Sequence, residues 1–90
     1  MPIYVSKPSK IEAIQWLGTN LGEVRAFAPH VVRQEFTGDG VWHLELRAGK
    51  DGAQGWVGVP VGHWIVRQPD DLTDHWPVED DYFQRKYEPA

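Results

Sequence analysis

Histidine, carboxylate and tryptophan are the residue types here with chemical reach: four His, thirteen Asp or Glu and five Trp in 90 residues. A zinc-type motif places two histidines four apart on a helix, and His30, His43, His63 and His75 show no such pair. His43 and His63 fall on different expected strands, where they can converge, but surface or rim positions are the default for histidine. No metal is therefore expected. Nucleophilic catalysis has little material. Cysteine is absent, and Ser6 and Ser9 lack the turn-and-glycine setting that activates a serine. Thr19 is better used as a helix cap. Asp70-Asp71 and Asp80-Asp81 are adjacent in sequence, whereas acid–base work needs carboxylates converging across a cleft. The glycines of "GKDGAQGWVG" have no strand–loop–helix order with a following Ser or Thr, so they read as a hairpin turn and not as a phosphate cradle. These residues imply no enzyme and no cofactor.

The tryptophans carry a different chemistry. A buried Trp removes up to about 250 Å² from water, roughly 6 kcal/mol each as an upper bound. One or two can anchor a core this small, so one or more of the five is expected at the surface, where Trp is a binding anchor. Trp56, Trp64 and Trp76 are candidates to stack on a planar ligand, with Arg67 or Arg47 to hold a phosphate. His63 joins them because it sits beside Trp64 in "VPVGHWIVR". In that stretch Pro60 suits position i+1 of a turn and Gly62 its end. Trp64 and Val66 alternate with His63, Ile65 and Arg67, which predicts one packed set and one outward set.

The elements that must position these residues follow from spacing. Ile11–Trp16 reads as the first strand, ended by Gly18. "TNLGEVRAFAP" predicts a short helix with Thr19 or Asn20 as N-cap and Glu23 completing a capping box. Leu21, Val24, Phe27 and Ala28 form its apolar face, Gly22 weakens it, and Pro29 stops it. "VVRQEFT" and "VWHLELR" form a hairpin around Gly38–Gly40, with Trp42, Leu44 and Leu46 alternating against His43, Glu45 and Arg47. Ala48–Gly52 is another turn. "QGWVGV" and "HWIVR" are two strands joined by "PVG", and "TDHWPV" is a short extended piece. "EDDYFQRKYEPA" closes the chain as a helix, with Asp80 and Asp81 at its start and Arg85 and Lys86 near its end, both favourable to the macrodipole. Phe83 and Tyr87 share its buried face. The expected fold is α+β over a single domain, residues 1–90. It has a mostly antiparallel sheet of about five strands, a short helix after the first strand and a C-terminal helix.

Charge bounds the partners. Residues 1–69 carry seven Lys or Arg against six Asp or Glu, whereas residues 70–90 carry two against seven. Nucleic-acid binders gain most of their affinity by neutralising phosphates, and no basic stripe is present, so direct nucleic-acid binding is not expected. No apolar run reaches the roughly 18 residues of a membrane span, and the opening "MPIYVSKPSK" lacks the apolar core of a signal peptide. The expectation is a cytoplasmic protein with no membrane association. Edge strands in a small open sheet leave room for a homo-oligomer.

Three blocks add a resemblance: "KPSKIEAIQWLGTNLGEVRAF" (7–27), "VGHWIVRQ" (61–68) and "WPVEDDYFQRKYEP" (76–89). Together they resemble the small tailed-phage and prophage proteins named for a Pro-Gly-Asp-Tyr-Gly motif (PGDYG). The first block is similar to that family's K-P-x-x-I-E-A-x-Q-W-x-G, the second to G-D-W/Y-I-V/I, and the third to Y-P-x-K-P-D-x-F-x-x-x-Y-E. His63 stands where the motif has Asp, Trp76 where the last block begins with Tyr, and Glu79-Asp80 where Lys-Pro is common. The resemblance implies a phage-encoded protein in the host bacterial cytoplasm and carries over no catalytic residue. The leading expectation is an accessory protein that binds a host protein or a small molecule, motivated by the surplus Trp and the acidic C-terminal segment. Beside it stand a nucleotide-binding sponge or hydrolase acting against host defence signalling, and a minor structural or morphogenetic virion component.

Overall fold

The computed structural model describes residues 3–5, 10–36, 42–69 and 71–89. In chain order the elements are β1 (Ile3–Val5), β2 (Lys10–Gln15), α1 (Leu21–Phe27), β3 (Val32–Phe36) and β4 (Trp42–Lys50). They continue with β5 (Gly55–Val59), β6 (Trp64–Gln68), β7 (Asp71–Val78), α2 (Asp80–Lys86) and β8 (Glu88–Pro89). The class is α+β, as expected, and every described strand pairing is antiparallel. The strand count is larger than five. Six strands have five residues or more, and the three-residue β1 and two-residue β8 add to the edge beyond β2. The turn expected at Gly38–Gly40, Ser6, Ser9 and Asp70 lie outside the described residues.

The sheet runs β3-β4-β7-β6-β2-β1-β8, and off this path β5 pairs β4. Strand β4 belongs to two sets of partners. Its residues 42–48 pair with β3 and β5, and Gly49 and Lys50 pair with His75 and Asp74 of β7. The change of partners falls at a glycine with φ +83°, where an added Cβ would lie 2.8 Å from Cγ of Gln54. A left-handed backbone with a side chain packed against it favours Gly. Ala48, Gly49 and Lys50 are therefore strand, and the expected turn at 48–52 begins later, at Asp51.

Strand β6 lies at the centre, bonded to β2 on one side and β7 on the other. Trp64, Ile65 and Val66 are all buried, the pattern of a strand covered on both faces. This corrects the expectation that Ile65 faces outward. Trp64 and Val66 pack with Ile11, Ala13 and Val78 of the sheet and with Phe83 and Tyr87 of the α2 segment. Ile65 packs on the other face with Trp16, Val24 and Phe27 of the α1 side and with Leu44, Leu46 and Val59 of β4 and β5.

Helix α1 docks by the face expected of it: Val24, Phe27 and Ala28 are buried and Leu21 packs against them. It ends before Pro29, with Ala28 at φ −126°, ψ 68°, because a residue preceding proline is pushed out of the helical region. The expected capping box is not formed. The Asn20 side chain instead accepts from the Leu17 N–H and donates to the Gln15 carbonyl, at 2.9 Å each. It ties the end of β2 to the start of α1. The "PVG" turn also differs from expectation. The His63 N–H donates to the Pro60 carbonyl at 3.0 Å, which makes Pro60 position i. Gly62, with φ +95°, then takes position i+2, where a type II turn needs positive φ. This turn does not join a hairpin, because β5 bonds to β4 and β6 to β2 and β7.

Candidate functional site

The five candidate binding residues do not form one site. Trp56 lies on β5, 38% exposed, with the Arg33 guanidinium 4.1 Å from its ring centroid. Arg33 Nε also donates to Glu45 at 2.9 Å, so this exposed Trp sits in a cross-strand cluster of mixed charge. His63 is half-buried at the entry to β6. Its carbonyl accepts from the Trp16 N–H at 2.9 Å. Trp64 is core: it stacks on Phe83 at 3.8 Å between centroids with the rings 5° from parallel. Its indole N–H donates to Asp80 at 2.9 Å.

Arg67 is held inside as well. Its Nε donates to Glu12 at 3.0 Å, with side-chain exposures of 12% and 17% for the pair. Its Nη1 donates to the Phe27 carbonyl, and the guanidinium lies 4.2 Å from the Phe27 ring centroid. This strut links β6, β2 and the end of α1, where a cation suits the helix dipole. Arg47, the other phosphate candidate, is exposed and lies against Gly52, where an added Cβ would come within 2.4 Å of its Nε. Of the five, Trp64 and Trp76 share one packed region, with Trp76 half-buried against the cluster that holds Trp64.

Trp76 opens onto a groove that the sequence reading did not assemble. Strand β7 supplies Trp76, Pro77 and Val78, and the α2 side supplies Glu79, Tyr82, Arg85, Lys86 and Tyr87, around a volume of about 430 Å³. The signal was present: Tyr82, Arg85 and Lys86 stand at i, i+3 and i+4, one face of a helix. Phe83 decides which side of α2 is buried. Once it stacks on Trp64, the 82-85-86 stripe faces away from that contact.

Two shifted ionisations mark this region. Hydrogen bonding to Tyr82, reinforced by the charges of Tyr87 and Tyr82, raises the Lys86 ammonium above the ordinary lysine value. Its Nζ lies 5.3 Å and 5.5 Å from the Tyr82 and Tyr87 ring centroids. On the other side of α2, the hydrogen bond from Trp64 holds Asp80 below the usual carboxylate value, helped by Gln84 and by the charge of His63. The groove thus combines three aromatic side chains, two cations and one carboxylate, a set suited to holding a planar anion.

Among the described residues, no three His, Asp or Glu converge in a way that could hold a metal ion, and no helix is long and apolar enough to cross a membrane. Compared with known proteins, the chain matches no family model, no curated protein and no solved structure.

Proposed function

We propose that the chain is a phage-encoded accessory protein of the host bacterial cytoplasm that works by binding rather than turnover, with the groove between β7 and α2 as its site. The groove carries this reading. Its volume of about 430 Å³ lies in the range of small-molecule sites, about 300–1,000 Å³. It places aromatic surface beside the only two cationic side chains of residues 70–90. The occupant this favours is a small molecule. The test is ligand recovery: incubate purified protein with a small-molecule extract of the host, wash, denature, and identify what is released by mass spectrometry. A compound retained by the natural protein and lost from the Arg85→Glu, Lys86→Glu double variant is expected. Identical release from both proteins, or no retained compound, refutes the site.

A host-protein partner is a second reading, favoured by Trp56. A Trp exposed on a sheet face with an Arg stacked over it has the composition of an interface anchor. A specific partner that binds more weakly as salt rises, and is lost in Trp56→Ala, supports it. A partner retained equally by Trp56→Ala argues against this face.

A further inference from the structure

We infer that the ligand of the α2–β7 groove is a nucleoside phosphate, its base against the aromatic wall and its phosphate on Arg85 and Lys86; this rests on the groove being the binding site. Residues 70–90 hold seven carboxylates and two cations, and both cations line this groove. A chain of net charge −4 that collects two positive side chains beside three rings has a local site for an anion with an aromatic part.

The two cations differ in a useful way. Lys86 is held over Tyr82 and Tyr87, so its charge is placed at the aromatic side of the groove. Arg85 is exposed and makes no hydrogen bond or ion pair with any described residue. Its guanidinium fork is open to two phosphate oxygens at once, the strong bidentate arrangement. These cations sit at the end of α2, where the dipole contributes roughly half a negative charge. Two full positive charges outweigh it.

Orientation follows from Glu79. It precedes α2 by one residue and stands six residues before Arg85, about 9 Å along a helix axis. A phosphate is repelled from that end and drawn to the other, while the carboxylate accepts a hydrogen bond from a base amine or a ribose hydroxyl. A nucleoside monophosphate spans such a distance from base edge to phosphate. Tyr82 is 46% exposed, which leaves ring surface open to stacking.

The experiment is calorimetric titration of the natural protein with the four ribonucleoside monophosphates, adenosine and inorganic phosphate, at low and high salt. At least one monophosphate should bind at least tenfold tighter than either adenosine or inorganic phosphate, because it alone engages both halves of the groove. Binding should weaken with salt. Tyr82→Ala should lose about tenfold through stacking, and Arg85→Gln a similar amount. Both positions are exposed, so both variants should keep the natural melting temperature. Inorganic phosphate binding as tightly as every nucleotide, with Tyr82→Ala unaffected, overturns the inference, and so does the absence of nucleotide binding at millimolar concentration. If ligand recovery still yields a groove-dependent compound that is not a nucleotide, the binding site stands and the nucleotide assignment falls.

Discussion

Replacing Arg67 with Met gives a demanding test of how β6, β2 and the end of α1 are joined. The substitution keeps much of the aliphatic stem and removes three contacts together: the ion pair to Glu12, the hydrogen bond to the Phe27 carbonyl and the cation over the Phe27 ring. Breaking one side of a buried pair costs about 3–5 kcal/mol, because the remaining charge has lost its partner. Glu12 is 17% exposed, so water recovers part of this, and about 3 kcal/mol is the expected loss. A domain of this size has about 5–13 kcal/mol in total. With a urea m-value of about 1.5 kcal/mol/M, the midpoint should fall by about 2 M. The double variant Arg67→Met, Glu12→Leu removes both charges, and replacing a buried pair by apolar groups is often neutral or stabilising. It should recover at least half of the loss. Urea denaturation followed by far-UV dichroism measures both. A midpoint shift of less than about 0.5 M in Arg67→Met, which at the same slope corresponds to a surface-type pair, would refute the strut. So would a double variant less stable than the single one.

Other expectations concern backbone and protonation. Gly22 lies within α1 with nothing within 4 Å of an added Cβ, so Gly22→Ala should stabilise by about 0.5–1 kcal/mol, read as a raised melting temperature. His30 has φ +67°, and the Val31 N–H donates to the Ala28 carbonyl across it at 3.4 Å. His30→Gly should relieve about 1 kcal/mol of left-handed strain, and a variant less stable than the natural chain would contradict that origin. Asp80 has its folded pKa lowered, first by the Trp64 hydrogen bond. A depressed carboxylate contributes stability that is present above its unfolded value, about 3.9, and lost as pH falls through the lower folded value. Acid unfolding of the natural protein should therefore steepen below about pH 4, and Asp80→Asn should flatten that limb. Unchanged acid limbs in the two proteins would remove Asp80 from the account.

The parts of the fold legible in the sequence were those with a local period. The apolar positions of α1 at 21, 24, 27 and 28 recur at helical spacing and are the ones that dock. Leu44 and Leu46 alternate with His43 and Glu45, and β4 buries the leucines. The acidic start and basic end of α2 were equally local. Strands β1 and β8, of three and two residues, are too short to show a period, and they exist by pairing with an edge. Asn20 misled because one side chain can either cap a helix or bridge a turn, and the approach of Gln15 and Leu17 selects the bridge.

The candidate site divides in the same way. Sequence alone determined that Trp is in surplus, that the C-terminal segment is acidic, and that its two cations stand between Tyr82 and Tyr87. Only tertiary structure decided which aromatics are core and which line a groove. Ile65 reads as outward in an isolated strand, yet it is buried because β6 is covered on both faces. Arg67 reads as a phosphate holder and is instead the strut between β2, β6 and α1. Trp64 and Trp76 have the same chemistry. The first is sealed by Phe83, while the second is left at the groove beside Arg85 and Lys86. Burial depends on which layer lands on which face, and that is set by contacts between segments far apart in the chain, which no local spacing records.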